Sequence, residues 1–339
     1  MKYKCCEHIL GSIDLGYDGF KYCNEVWEGP EYISYTEENA FIKNEERRLE
    51  ILKNMQNGII PDKCQMCSWL KEDEWKEFDN KIFKVTIFNW KHCNAACFYC
   101  SVQSTFSEKV QKSEYYDSLP IVKKLIDEGR ITSDSFIAFM GGEPTTLEEF
   151  PEIAKLLIEK GCKIEVLTNG IKYEPVISDL LKTGKGNIVI SVDCGSKETY
   201  KKIKRVDKYK EVKENIKRYI EEAGENSKKI RIKYIIMPRV NDNKKEIDDW
   251  FNFCKETGVR TISRAVNHSD SKMNTKNKMI EFSVINSYNY IGEKAKKLGL
   301  NIDMEPWADD IVKNKVYNCR KVSMYSRILS ALKFVLGIK

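Results

Sequence analysis

The sequence lacks the long apolar runs, secretion signals and repeats that mark membrane, exported and repeat proteins. No stretch of its 339 residues is long and apolar enough to span a bilayer. Residues 1–6 do not resemble a signal peptide, and no internal repeat or low-complexity tract follows. With 42% hydrophobic and 32% charged residues, the composition is typical of a globular protein. We therefore expect a soluble, cytoplasmic protein.

The sequence also lacks a large excess of one charge. Lysine and arginine number 57 against 51 acidic residues, which gives a net charge of +6 with the two signs interleaved. The densest basic run, residues 201–205, is typical of a solvated helix face, because charge runs usually lie on surfaces. Aromatic residues do not alternate with it in a stacking pattern. We expect no nucleic-acid partner.

Histidine is scarce, with three residues, whereas cysteine is abundant, with twelve. Eight cysteines lie before residue 101, and they are grouped at positions 5–6, 23, 64–67 and 93–100. In a chain without a secretion signal, such clustering indicates metal binding in a reducing compartment rather than disulfides.

One cysteine group has an informative spacing, Cys93-Asn-Ala-Ala-Cys97-Phe-Tyr-Cys100. Three thiolates on one short loop can ligate three corners of a cubane iron–sulfur cluster. Ser101 follows, so the fourth iron has no local cysteine and is free to bind a small molecule. The alternative is a zinc site, which needs four closed ligands. His92 is adjacent to Cys93 and is poorly placed to complete a tetrahedron.

Strand and helix patterns alternate after residue 81 and predict an α/β fold. The strand candidates are nearly continuous apolar runs, as in parallel strands buried on both faces. They cover residues 82–88, 135–140, 163–168, 187–192, 230–237 and 259–265. Helices are predicted over 36–57, 243–256 and 281–298, and another begins at a capping box formed by Thr146 and Glu149 and ends at Gly161. The patterns fit either an open α/β barrel or a doubly wound sheet, and in both the site lies at the carboxyl ends of the strands.

A second motif, Gly141-Gly142-Glu143-Pro144, follows the strand at 135–140. Glycines allow close backbone approach, and carbonyls with a carboxylate suit an ammonium group. Together with the cysteine triplet, this turn resembles the radical S-adenosylmethionine (radical SAM) superfamily. The resemblance implies a partial (β/α)6 barrel that binds a 4Fe-4S cluster and S-adenosylmethionine.

The resemblance also implies an activity. Such an enzyme cleaves S-adenosylmethionine reductively to a 5′-deoxyadenosyl radical, which abstracts hydrogen from a substrate, here expected to be a small molecule or sugar. An electron donor such as flavodoxin or ferredoxin would be a partner. Two alternatives stay open: a radical SAM maturase that modifies peptides, and a zinc-binding scaffold without redox chemistry. Iron and sulfide analysis would separate the last from the others.

By the same resemblance, residues around the strand ends would bind the cofactor. Asn169 lies in a Thr-Asn-Gly turn, which is also a common turn signal without a ligand. Aspartate oxygens can accept bonds from ribose hydroxyls, and arginine suits a carboxylate. The expected cofactor-binding residues are Tyr99, Gly141, Gly142, Glu143, Pro144, Asn169, Ser191, Asp193 and Arg205.

The cysteines before the predicted barrel resemble the auxiliary-cluster part of SPASM and twitch domains. The expected ligands of a second 4Fe-4S cluster, which would transfer electrons, are Cys6, Cys23, Cys64 and Cys67. Cys5 is an alternative to Cys6. Four cysteines also suit structural zinc, so iron–sulfur and zinc both stay open here.

Three segments are therefore expected. Residues 1–81 would form the auxiliary-cluster domain and residues 82–265 the barrel core. Residues 266–339 would form a C-terminal extension with an amphipathic helix at 319–339. Docking on the protein's own body is the expected role of that helix; contact with a membrane surface is the alternative, because basic amphipathic helices bind anionic lipid.

Overall fold

The chain alternates strands and helices in two compact units. The computed structural model describes residues 2–23, 33–65, 67, 69–75, 80–100, 115–267, 282–303 and 312. The first unit draws on residues 1–96, 102–190 and 214–230, and the second on residues 97–101, 191–213 and 231–339.

The elements are named in chain order. The strands are β1 (Lys2–Cys5), β2 (Ser12–Gly16), β3 (Gly19–Lys21), β4 (Ile33–Ser34), β5 (Lys71–Glu74), β6 (Ile82–Phe88), β7 (Ile131–Phe139), β8 (Lys163–Thr168), β9 (Gly186–Ser191), β10 (Ile230–Ile236), β11 (Thr261–Val266) and β12 (Asn301–Asp303). The helices are α1 (Glu7–Gly11), α2 (Ala40–Gln56), α3 (Asp62–Gln65), α4 (Leu119–Asp127), α5 (Phe150–Glu159), α6 (Pro175–Lys182), α7 (Lys197–Lys204), α8 (Tyr209–Ala223), α9 (Lys244–Thr257) and α10 (Phe282–Lys297).

A mostly parallel sheet forms the frame of the first unit. Its strands lie in the order β9-β8-β7-β6-β2-β3-β4. The pairs from β9 through to β2 are parallel, whereas β3 and β4 are antiparallel additions at one edge. The central strands carry fully buried aliphatic side chains such as Val85, Ile137 and Val166, as expected of strands covered on both faces.

Strand β2 belongs to the segment that we expected to form a separate N-terminal domain. It pairs in parallel with β6, from Ser12 opposite Lys84 to Gly16 opposite Phe88. Part of residues 1–81 therefore extends the same sheet as the first predicted barrel strand. The assignment of this segment to an auxiliary-cluster domain stays a prediction.

The second unit contains the parallel strands β10, β11 and β12. Its core includes Trp250 of α9, which is fully buried and packs on Tyr234 of β10 with ring centroids 4.8 Å apart. The Asn243 side chain caps α9 by accepting from the backbone N–H of Glu246 at 3.0 Å. This bond satisfies one of the donors that a helix start leaves without a partner.

The structure confirms the predicted α/β class with mostly parallel strands, and all six predicted strands are present. Their ends shift by no more than two residues, except that β7 begins at Ile131 rather than at 135. Helices α2, α9 and α10 occupy the predicted segments, and Gly161, with φ of +79°, follows the end of α5.

The predicted capping box at Thr146 and Glu149 is wrong. Helix α5 starts at Phe150, and no side chain caps it. Thr146 ends a short 3-10 turn, where its hydroxyl donates to the Glu143 carbonyl at 2.7 Å and accepts from Trp90 Nε1 at 3.0 Å. Because the Thr146 hydroxyl makes these two hydrogen bonds, it does not cap helix α5.

Across the described ranges, no helix has the length and apolar character needed to cross a membrane. The predicted amphipathic helix at 319–339 lies outside the described residues.

Candidate functional site

The Gly-Gly-Glu-Pro turn lies against the backbone that leads into the cysteine triplet. Gly142 N–H donates to the Trp90 carbonyl and Glu143 N–H to the His92 carbonyl, both at 2.8 Å. A Cβ atom on Gly142 would lie 2.2 Å from the His92 carbonyl oxygen, and Gly141 has a φ of +100°. Both positions therefore require glycine. Within the first unit, the Gly-Gly-Glu-Pro turn therefore contacts the residues directly before Cys93.

Glu143 is buried, and its carboxylate joins two turns at the ends of neighbouring strands. One oxygen accepts from the Thr145 hydroxyl at 2.7 Å and the Thr168 hydroxyl at 2.6 Å, and the other accepts from Asn169 N–H at 2.7 Å. Burial raises the pKa of this carboxyl, and these hydrogen bonds oppose the rise. The carboxylate thus organises the turns after β7 and β8.

Asn169 connects the turn after β8 to the first cysteine of the triplet. Its amide Nδ2 lies 2.7 Å from Asn94 Oδ1 and 3.5 Å from Cys93 Sγ. Ala95 N–H also donates to this sulfur, at 3.4 Å, while Asn169 Oδ1 accepts from Ile171 N–H at 2.9 Å. Two N–H groups therefore approach the buried Cys93 sulfur.

The other two triplet cysteines belong to the second unit, where three hydrogen-bonded polar side chains lie near them. Cys97 and Cys100 are half-buried. The Tyr99 hydroxyl donates to Asp193 Oδ2 at 2.5 Å, and Lys204 Nζ donates to the same oxygen at 2.6 Å. Burial raises the pKa of the Cys97 thiol, while the nearby Lys204 charge lowers it. The net result is a raised pKa, which the nearby Lys204 ammonium limits but does not reverse.

The prediction that the basic run at 201–205 faces solvent is wrong for Lys204. The other lysines and the arginine of that run are exposed, but Lys204 is 1% exposed. It shares the buried face of α7 with Tyr200 and Ile203. This i, i+3, i+4 spacing was visible in the sequence as a helical periodicity, and it was the signal that could have identified Lys204.

Asn241 is a second residue that the sequence reasoning missed. It is fully buried, and its amide donates to the backbone carbonyls of Asp193 at 2.7 Å and Ile235 at 2.8 Å. Its oxygen accepts from Met237 N–H at 2.7 Å. Asn241 therefore fixes the backbone around Asp193, and no local sequence pattern indicates this.

The remaining expected cofactor residues occupy different environments. Pro144 is buried in the turn after Glu143. Ser191 is the last residue of β9 and is half-buried. Arg205 is exposed and ends α7 in a left-handed conformation, with φ of +57°. The cofactor contacts assigned to these three residues, like those assigned to the other six expected residues, stay predictions.

The N-terminal cysteines gather in one small core of the first unit. Cys5, Cys6 and Cys23 are buried in this core, and Cys64 packs against it. The thiol of Cys64 interacts electrostatically with those of Cys6, Cys23 and Cys67. Burial and the neighbouring thiols together raise the pKa of Cys6 and of Cys64 to about 11. Cys6, Cys23 and Cys64 thus share one core, and Cys67 is near enough to interact electrostatically with Cys6 and Cys64. Their role as ligands stays a prediction.

Tyr22 lies in the same core with its hydroxyl buried. The residue is 2% exposed, and the hydroxyl has no hydrogen-bond partner among the residues that the structure describes. Arg47 and the thiols of Cys64, Cys23 and Cys6 lie near enough to interact with it electrostatically. Leaving a buried hydroxyl unpaired costs roughly 1–3 kcal/mol, so an acceptor beside these thiols would stabilise the core.

In the described part of the chain, no three His, Cys, Asp or Glu side chains converge on a point that could hold a single metal ion. Tetrahedral zinc needs ligands about 2.0–2.3 Å from one centre. A cubane cluster spreads its thiolate ligands over several iron atoms, and so it does not require that convergence.

Comparison with known proteins identifies the domain. A family model described as the radical SAM superfamily matches residues 90–254. Among curated proteins, a GTP 3′,8-cyclase of Aliarcobacter butzleri (strain RM4018) is 29% identical over 189 residues, which cover 53% of this chain and 54% of that protein. A probable GTP 3′,8-cyclase of Thermococcus kodakarensis is 25% identical over 230 residues, which cover 67% of this chain and 69% of that protein.

The matches cover only part of each relative. The chain spans about half the length of the first curated relatives that it matches. Among solved structures, Streptococcus suis SuiB bound to precursor peptide SuiA has a TM-score of 0.51 at 14% identity, over 81% of this chain and 55% of that one. At this identity the likeness is one of fold. Residues 90–254 of this chain, which contain the cysteine triplet and the glycine turn packed against it, form a radical SAM domain.

Proposed function

We propose that this protein is a radical SAM enzyme in which Cys93, Cys97 and Cys100 ligate a 4Fe-4S cluster and S-adenosylmethionine binds at its open iron. The observation that carries the proposal is the contact between the Gly142–Glu143 backbone and the residues that lead into Cys93. A cofactor that binds to both the cysteine triplet and the Gly-Gly-Glu-Pro turn requires these two segments to lie close together.

The side chains around the triplet fit a thiolate-ligated cluster. Two N–H groups approach the Cys93 sulfur, from Asn169 at 3.5 Å and Ala95 at 3.4 Å. Hydrogen bonds to the sulfurs stabilise the negative charge of such clusters and help to set their potential. In the second unit, the Lys204 ammonium partly offsets the burial that raises the pKa of Cys97.

When bound, the cluster and S-adenosylmethionine together supply a 5′-deoxyadenosyl radical that removes a hydrogen atom from the substrate. The protein's own part is to bind and orient. Gly141 and Gly142 keep the backbone free of side chains where it follows β7. The Glu143 carboxylate links that turn to the turn after β8 through hydrogen bonds to Thr168 and Asn169. We assign Glu143 a role in holding the turn that contacts the cofactor.

We propose further that Cys6, Cys23, Cys64 and Cys67 ligate an auxiliary 4Fe-4S cluster that transfers electrons. The buried Tyr22 hydroxyl supports this proposal, because a cluster sulfur would give it an acceptor. Cys6 is the preferred ligand over Cys5. Cys6 interacts with Cys23 and Cys67. Cys5 interacts with Cys64, but its thiol already donates to the Cys6 carbonyl at 3.7 Å. Structural zinc is the competing occupant.

We propose a small-molecule substrate. The curated relatives are named for a reaction of GTP, which supports a small molecule over a macromolecule. A peptide is the second candidate, because the solved structure of similar fold is bound to a precursor peptide. Substrate-dependent consumption of S-adenosylmethionine, measured with nucleotides and with peptides, separates the two.

Changing Cys97 to alanine should reduce the release of 5′-deoxyadenosine to background, because a cubane held by two thiolates is labile. The assay is chromatography of the products from anaerobic, dithionite-reduced protein with S-adenosylmethionine and no added substrate. Cys162→Ala is the matched control, since Cys162 is a buried thiol outside both cysteine groups. Full activity in Cys97→Ala would show that the triplet is not the site.

Changing Glu143 to glutamine should weaken S-adenosylmethionine binding roughly tenfold, while the iron content is retained. An amide presents N–H where the carboxylate accepts from Asn169 or Thr168, and a lost charged hydrogen bond costs about 1.5–3 kcal/mol. Calorimetric titration of the reconstituted protein measures the affinity. Glu159→Gln, an exposed change on α5, should leave the affinity unchanged; equal affinities in both variants would refute the assignment.

Changing Cys64 and Cys67 together to alanine should remove roughly half of the iron, on the basis of two cubanes with cysteine ligands. Release of 5′-deoxyadenosine without substrate should persist, because the triplet lies elsewhere in the chain. Iron, sulfide and zinc are counted after anaerobic reconstitution, with Cys254→Ala as the control. Loss of zinc with unchanged iron would replace the auxiliary cluster by a structural zinc site.

A further inference from the structure

The second unit buries an ion pair directly beside the cysteine triplet. Lys204 Nζ lies 2.6 Å from Asp193 Oδ2, and the two side chains are 1% and 0% exposed. Burial by itself lowers the pKa of Lys204, but the Asp193 charge, the other neighbouring groups and the hydrogen bond to Asp193 together raise that pKa well above its ordinary value. Removing two such groups from water is costly unless they pair and hydrogen-bond with each other, and the geometry here provides that pairing.

Tyr99 is the third member of this group and lies between Cys97 and Cys100. Its hydroxyl donates to Asp193 Oδ2 at 2.5 Å and accepts from Lys204 Nζ at 2.9 Å. The adjacent Phe98 N–H donates to the Ile203 carbonyl at 3.2 Å. The last turn of α7 thus holds the cysteine stretch through a side chain and through the backbone.

The aspartate of the pair is fixed by the surrounding backbone. Asp193 Oδ1 accepts from Ile235 N–H at 2.8 Å, and the Asp193 carbonyl accepts from Asn241 Nδ2 at 2.7 Å. The residue adopts φ of +62°, in the left-handed region that favours glycine. A non-glycine residue keeps this conformation only where its surroundings impose it, so Asp193 is a rigid anchor.

We propose that Lys204 and Asp193 are positioning residues that act through the Tyr99 hydroxyl to hold Cys97 and Cys100 in the arrangement that retains the cluster. The proposal rests on the proposed function. The ion pair is hydrogen-bonded to the cysteine stretch through Tyr99, and two charge-assisted hydrogen bonds meet at that hydroxyl. A cluster ligated by three thiolates depends on each of them keeping its place.

The test compares Tyr99→Phe with Tyr209→Phe. Tyr209 also donates its hydroxyl within the second unit, to the Gly195 carbonyl at 2.6 Å, but it makes no such bond to the cysteine stretch. Both variants and the parent are reconstituted anaerobically and exposed to a ferrous chelator. The readout is the decay of the electron paramagnetic resonance signal that changes when S-adenosylmethionine is added, because this signal reports the cluster with the open iron.

The signal of Tyr99→Phe should decay about tenfold faster than that of the parent, as expected for loss of a hydrogen bond to a charged group, and its line shape should change. Tyr209→Phe should decay within about twofold of the parent. Equal decay in the two tyrosine variants would overturn the positioning role. A parent protein with no signal that responds to S-adenosylmethionine would instead overturn the proposed function.

The link to the ion pair is tested by Asp193→Asn with Lys204→Met, a double change that leaves no unpaired buried charge. If the pair acts through Tyr99, adding Tyr99→Phe to this double variant should accelerate decay by less than about twofold, because coupled groups are not additive. Accelerations that multiply would show that the pair acts independently of Tyr99 and would overturn the proposed route.

Discussion

The buried carboxylate of Glu143 is the interaction on which the site of the first unit depends. A charged carboxyl is costly to bury unless hydrogen bonds replace its water. Here the replacements come from Thr145, Thr168 and Asn169, which lie in the turns after β7 and β8. Each turn is thereby fixed relative to the other. Asn169 in turn places its amide beside Cys93, so that one buried carboxyl group organises the surroundings of that cysteine.

In the second unit, a buried carboxylate is stabilised by an ion pair. Asp193 follows β9, and its carboxylate is satisfied by Tyr99, Lys204 and the backbone of β10. Breaking a buried pair by removing one partner typically costs about 3–5 kcal/mol. Such an arrangement restrains the residues that it touches, and one of them lies inside the cysteine triplet. In both units, buried carboxylates near strand ends give rigidity where a cofactor would bind.

The sequence was sufficient to predict the features that depend on local pattern. The six strands followed from continuous apolar runs, and the spacing of the triplet together with the glycine turn pointed to the radical SAM domain that the family comparison supports. Contacts between segments that are distant in the chain could not be predicted from the sequence. The hydroxyl of Thr146 was expected to cap a helix, but it bonds to Trp90, 56 residues away in the chain.

The same limit applies to the buried charges. Glu143 meets its partners 25 and 26 residues further along the chain. Lys204 lies in a run of basic residues that otherwise faces solvent, and only its spacing from Tyr200 and Ile203 indicated a buried position. The pairing of β2 with β6 was also unforeseen, because β2 is short and precedes β6 by a long intervening segment.

The most direct measurement is the electron paramagnetic resonance spectrum of anaerobically reconstituted, dithionite-reduced protein before and after S-adenosylmethionine is added. An open iron at the Cys93, Cys97 and Cys100 cluster predicts a cubane signal whose shape changes on addition of S-adenosylmethionine, without any substrate. A protein that holds stoichiometric zinc and no iron, or a cluster whose spectrum ignores S-adenosylmethionine, would contradict the account.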